Sequence, residues 1–339
     1  MGDIAKGVFG GFWTLLTGWI LPTAVNLAIF ALTVLPSLRG ISYLANFADT
    51  ISARGPVMLL VSAVLFGWVL NALQNPLYRI IEGYLLWPRG LAAWRARRQI
   101  ILRDNLKDKV LLYRLQHKNE NAPLMPLELA DLRRLLAIST TTLVGPSSII
   151  KRGLLIERLN RYPVDSEQIA PTRLGNAIRR FEVYGHDRFQ LDSQVLWSEL
   201  TAAAPEPLRR QVDVARASVD FFVAMFWGHS AVAATAIAAQ FIGSPHRLSL
   251  SVTAVVLIAV IPLWYRSAVT ATDEWDSAVR ALVNLGRVPL AAAFGLALPQ
   301  QLSEERDMWK MVTRFVRVRY HERATMLDRY RAPNEPPSI

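Results

Sequence analysis

The stretch FFVAMFWGHSAVAATAIAAQFIGSPH, residues 221–246, runs through 26 positions without an Asp, Glu, Lys or Arg. A helix crossing a bilayer needs about 20 predominantly apolar residues, each adding ~1.5 Å across a ~30 Å hydrocarbon core. Three other stretches are equally free of charge: residues 8–38, 56–77 and 248–265. One such helix could be buried in a large soluble protein. Four in 339 residues cannot readily be buried that way, so four membrane spans are expected. The first is far too long for the apolar region of a cleavable signal peptide and reads as an anchor. A fifth apolar run, residues 288–298, is short and fits a buried or interfacial helix better than a span.

The composition agrees: 52% of residues are hydrophobic, 19% are charged, and the net charge is +11 with no cysteine. A chain this apolar does not stay disordered, and without cysteine there is no disulfide scaffold or thiolate metal site.

Orientation follows from the basic residues near the span ends. Arg79, Arg89, Arg95, Arg97 and Arg98 follow the second span, Arg209, Arg210 and Arg216 precede the third, and Arg266 follows the fourth. The opposite loops hold only Arg39, Arg54 and Arg247. The expected fold is therefore an all-α integral membrane protein with four transmembrane helices in a 2+2 order. A helical cytoplasmic domain is made by a large insert and the C-terminal tail. The divisions are residues 1–77 (first span pair), 78–219 (insert), 220–266 (second pair), 267–330 (tail packing on the insert) and 331–339 (a disordered end). Both termini are expected on the cytoplasmic side of the membrane. Tyr78, Tyr84, Trp87, Trp264 and Tyr265 stand where aromatic residues anchor spans at the headgroups.

The insert and tail read as helix throughout. Residues 94–116 place Leu102, Leu106, Val110 and Tyr113 on one face, and Pro126 opens a further helix. Residues 172–184 form another, with Gly185 as its cap, and Asp192 caps the next. From Pro207, the series Leu208, Val212, Ala215 and Val219 runs directly into the third span. Ser303 with Glu304 and Glu305 starts the tail helix.

Catalytic patterns are scarce. The histidines lack zinc-helix spacing, there is no phosphate loop, and nothing asks for a cofactor. Ser148-Ile-Ile-Lys151 matches the Ser-x-x-Lys of serine acyl enzymes but lacks its companion motifs. The reading leans away from an enzyme. The candidates are instead polar residues in unusual places. Asn26 and His229 each sit mid-span, where an unsatisfied polar group is costly, and a mutual hydrogen bond would satisfy both. Asp220, at the edge of the third span, is expected to reach water. Gly7-x-x-x-Gly11 would allow close helix packing. Arg89, Arg95, Arg97 and Arg98 form a basic cluster suited to anionic headgroups, whereas no motif favours nucleic acid.

Three motif groups remain. The first is Pro76-Leu-Tyr-Arg79-Ile-Ile-Glu82-Gly83-Tyr84. The second is Pro171-Thr-Arg-Leu-Gly-Asn176 with Glu182, Arg188-Phe-Gln-Leu-Asp192 and Trp197. The third is the segment 296–299 with Glu305-Arg306 and Trp309. Together they resemble a family of bacterial, actinobacterial-type polytopic membrane proteins, carrying RxxEGY, PTxLGN and ERxxW segments, to which no activity is assigned. The resemblance leaves much of 90–165 unmatched. It departs from the family at Gly185-His-Asp and at Phe189, where a tyrosine is expected. It implies architecture and no chemistry. Arg79, Glu82, Arg173, Asn176 and Glu182 form a candidate structural or ligand cluster. The function expected is a membrane-anchored interaction or effector scaffold, self-associating or engaging a protein partner. A channel or transporter with a path near Asn26 and His229 is the alternative, and a lipid-acting enzyme is third.

Overall fold

The computed structural model describes residues 12–38, 42–138, 147–242 and 246–332; residues 42–54, 138, 147–149, 242, 323 and 324 are described by backbone alone. The Gly7/Gly11 pair, the Ser148 side chain and residues 333–339 of the end expected to be disordered lie outside the described residues. Arg331 and Ala332, the start of that end, are instead held, Arg331 bridging Leu296 and Ala332 N–H bonding to Gly295 O at 3.0 Å. Among the described residues all regular structure is helical, apart from one isolated bridge between Leu296 and Arg331.

Four helices are long and apolar enough to cross a membrane: α1 (Phe12–Thr33), the Gly55–Ala72 part of α2 (Ser42–Ala72), α10 (Glu206–Ala239) and α11 (Arg247–Ala293). Their outward faces carry large apolar side chains. Leu60, Leu65, Phe66, Trp68, Val255 and Leu263 are all more than half exposed. Facing water, that surface would far exceed the patches soluble monomers tolerate, so its natural neighbour is lipid.

The chain divides into two compact units. One comprises Met1–Tyr78 with Gly185–Ile339, the other Arg79–Tyr184. In the first, α1 packs on α2 and α10, and α10 packs along α11. Val34, Leu38, Val232, Ala233, Ala236, Ala239, Leu250, Ala254 and Leu257 form a shared core. Its many alanines let the backbones approach closely, which is how helices gain packing energy where lipid is as apolar as leucine. In α1 one turn, Leu16–Ile20, is π-helical, with the Leu21 N–H bonded to Leu16 O. The extra residue in that turn directs Gly18, Trp19 and Ile20 inward.

The helices of this unit are longer than the charge pattern alone suggests. Residues 42–55, expected as part of a loop, already belong to α2. Instead of ending with its apolar stretch near Tyr265, α11 continues for 47 residues, about 70 Å, and absorbs most of the separate 288–298 segment. It stops at Phe294, where Gly295 takes φ +69°. Leu296 and Ala297 then run beside Tyr330–Ala332, with Ala297 N–H bonded to Tyr330 O at 2.7 Å. Charge marks where a helix leaves lipid; it does not mark where the helix ends.

Shorter elements complete both units. Gln74–Glu82 is α3, and its last turn opens the second unit. That unit holds α4 (Arg89–Asn121), α5 (Pro126–Ile138), α6 (Ser147–Asn160) and α7 (Arg173–Glu182). Leu112 and Leu115 of α4 pack against Leu132 and Leu135 of α5. The buried Arg103 ties α4 to Ser166 Oγ (2.9 Å), and Tyr162 OH donates to Gln99 Oε1 (3.0 Å). Gly185 lies inside α8 (Tyr184–Phe189) and is not a left-handed cap. It is glycine for space: a Cβ there would sit 2.7 Å from Leu191 O. Asp192 caps a turn, accepting from Gln194 and Val195 N–H groups, while α9 (Trp197–Ala203) begins later. The tail helix α12 spans Leu302–Arg317, with Glu304 and Glu305 in its first turn.

Candidate functional site

Asn26 and His229 are both buried, at 6% and 5% exposure. Asn26 Oδ1 lies 2.8 Å from His229 Nδ1, and the amide Nδ2 donates to Pro22 O at 2.7 Å. Since an amide oxygen only accepts, Nδ1 carries the proton. The neighbouring Gly228 makes room for this pair, because a Cβ there would come within 2.3 Å of the Asn26 amide carbon. Trp264 meets the His229 ring edge-on at 5.6 Å and stacks on Phe222, so this expected anchor turns into the bundle. The pair can join α1 to α10 in an apolar setting.

In the second unit the RxxEGY and PTRLGN segments interlock. Gly83 adopts φ +95° and lies against the Pro171 ring, leaving no room for a side chain. Thr172 caps α7 by accepting from Gly175 N–H (3.0 Å) and donates to Glu82 O (3.1 Å). Asn176, almost fully buried, accepts from Ala170 N–H at 2.7 Å and donates to Ala170 O and Thr172 O. Arg173 does not join this group; its side chain is exposed. Arg179 takes that place, unnoticed in the sequence because nothing there ties it to Glu82. Burial, and next the Glu182 charge, push the Glu82 carboxyl up to about 7, while Arg79 and Arg179 pull it down less strongly. Burial likewise raises the Tyr84 phenol.

Alanine at Gly175 would place its Cβ 2.7 Å from Glu82 O and 3.0 Å from the Ala170 methyl. Backbone must then move, at a cost of about 2 kcal/mol. Hydrogen exchange across 173–182 is expected to accelerate roughly thirtyfold. Gly153→Ala, with nothing within 4 Å, is the control and should leave α6 unchanged or slower. Equal exchange in the two variants would remove the interlock from the account.

The other motif pieces meet in the first unit. Arg306 donates to the carbonyls of Asp187 and Arg188 at 2.7 and 2.6 Å, and Arg317 pairs with Asp192 at 3.3 Å. Buried Glu305 accepts from Arg287 Nε (2.7 Å) and Trp309 Nε1 (3.2 Å), and the Arg287 guanidinium lies over Phe189.

No family model, curated protein or solved structure matches the chain. Its residues must therefore speak for themselves. On α4, Arg89, Arg97 and Arg98 are exposed beside the exposed Leu91, Trp94 and Ile101, with Arg98 over the Trp94 ring at 5.8 Å; Arg95 is half-buried. Apolar and basic groups thus share one stretch of surface. Among the described residues no group of three or more metal-ligating side chains converges.

One site went unseen in the sequence. Asp220, expected to reach water, is buried at 7% exposure. Tyr78, expected at the headgroups, donates its OH to Asp220 Oδ1 at 2.7 Å. Arg216 lies one turn away, 3.8 Å from Oδ2, and donates to Gln74 Oε1 at 3.0 Å. A cavity of about 300 Å³ opens beside them, lined also by Asp213, Asn71 and Trp19. Its residues come from α1, α2, α3 and α10, a convergence no local pattern announces.

Proposed function

We propose that this chain is a membrane-anchored helical scaffold of the bacterial inner membrane, of the polytopic type its motifs resemble. It spans the bilayer in a 2+2 order with both termini cytoplasmic, and presents its charged helices to a protein partner or a second copy. The observation that carries this reading is the continuity of α10 and α11, which run unbroken from apolar into charged sequence. A displacement at one end of such a rod is felt at the other, so an event at the charged end is coupled to the bilayer. The mixed apolar and basic surface of α4 suits the headgroups of anionic lipids.

Because the chain has no cysteine, single-cysteine variants give a clean test. An impermeant maleimide added outside spheroplasts should label Arg247→Cys and spare Ser198→Cys; the reverse would invert the topology. A spin label at Leu91 or Ile101 should be reached by lipid-borne oxygen in preference to an aqueous nickel chelate. In liposomes the full chain should pass no ions above the empty-vesicle rate. Ion flux that changes in His229→Ala would replace the scaffold by the channel reading, since Asn26 and His229 would then line a path.

A further inference from the structure

We propose that the cavity beside Asp220 binds an ammonium–phosphate zwitterion of the phosphoethanolamine type, the headgroup chemistry of a common membrane phospholipid. This goes beyond the scaffold reading and does not depend on it.

Depth is the first argument. Tyr78 directly follows the second charge-free stretch and Asp220 directly precedes the third, so the cavity lies at the boundary between hydrocarbon and water. Headgroups occupy that level, and the cavity is on the small side for ligand sites but large enough for one headgroup.

Charge is the second. The lining holds two carboxylates, Asp213 and Asp220, and one cation, Arg216, while Arg209, outside the lining, also acts on Asp213. Among the described residues Asp213 makes no hydrogen bond or close ion pair, whereas Asp220 accepts from Tyr78 and has the Trp19 indole and, 3.8 Å from Oδ2, the Arg216 guanidinium beside it. A primary ammonium brings three N–H donors to these two carboxylates. A quaternary ammonium brings none and calls for an aromatic cage.

The third is an unmet donor. Trp19 is 1% exposed and lines the same cavity; its indole Nε1 is close to the Asp220 carboxyl but makes no hydrogen bond of normal geometry. Buried donors are almost always satisfied, so a better-placed acceptor than this carboxyl is called for here. Arg216 likewise keeps N–H groups beyond its bond to Gln74. A phosphate beside the ammonium supplies acceptors to both. The π-helical turn Leu16–Ile20 is what presents Trp19 inward, and such turns recur at functional sites.

The test uses the full chain in detergent micelles, titrated calorimetrically with short-chain phosphatidylethanolamine, phosphatidylcholine and phosphatidylglycerol, and with free phosphoethanolamine. Phosphatidylethanolamine should bind saturably with one site per chain, at least tenfold more tightly than the other two lipids. Asp213→Asn, at an exposed and unbonded residue, should weaken it at least fivefold without moving the melting temperature. Asp220→Asn should weaken it further. Competition by free phosphoethanolamine at equal concentration would assign a soluble source, and binding of the lipid alone a membrane source; both keep the chemistry. Absence of saturable binding, equal binding of phosphatidylcholine, or full affinity in both Asp variants would overturn the proposal.

Discussion

Glu305→Ala is expected to cost about 3–5 kcal/mol, because it leaves Arg287 beside a pocket built for its counter-ion. The Arg287 side chain is 23% exposed and Glu305 6%, so little water can take the place of the lost carboxylate. Two donors lose their acceptor at once, Arg287 Nε and Trp309 Nε1, and the buried indole N–H has no alternative. The damage should stay near α12 and its neighbours Phe189 and Arg188, which this corner holds through Arg287 and Arg306. Hydrogen exchange across 302–317 should accelerate by about a hundredfold or more in the full chain. Glu305→Gln keeps an acceptor in place and should cost far less. If alanine and glutamine behave alike, the ion pair contributes little and the packing of Trp309 carries the corner.

How much of this was readable in the sequence differs from element to element. The gaps in charge located all four apolar helices, because a lipid-facing helix must exclude charge along its whole length. The entry of α10 into its span was readable too, since Leu208, Val212, Ala215 and Val219 keep one helical face up to Phe221. The far end of α11 was not. Arg266, Asp273, Glu274 and Asp276 break the apolar run but do not oppose helix, and the terminating signal was Gly295.

Polar residues in lipid announce that they need a partner, which singled out Asn26 and His229. They do not announce Gly228, whose missing side chain lets the pair meet. In PTRLGN the cap and the asparagine follow from local chemistry, whereas Arg173 and Arg179 look alike until the helix face is known. The Asp220 cavity draws on four helices, and no short-range pattern brings Asp213, Asn71 and Trp19 together.

Stability of the second unit should fall as pH rises through the window from about 4.5 to about 7, and Glu82 is the reason. Its carboxyl is raised from 4.5 to about 7 in the folded chain. Between those values the folded state holds a proton that the unfolded chain has released. The linkage slope is then negative: stability is greatest below 4.5, declines through the window, and is fully reduced above 7. At ~1.4 kcal/mol per pH unit the swing is on the order of 3 kcal/mol. Burial sets most of it, with the Glu182 charge adding and Arg79 and Arg179 subtracting.

Glu82→Gln stays neutral at every pH. Near pH 5 it should match the parent, and at pH 8 it should melt roughly 5 °C higher. Comparison of the two melting profiles from pH 5 to 9 isolates this one carboxyl from all others that titrate. A constant offset would mean that Glu82 ionises as freely folded as unfolded. A Gln variant less stable at pH 8 would mean that the Arg79 and Arg179 charges outweigh burial, reversing the order of effects argued for this interlock.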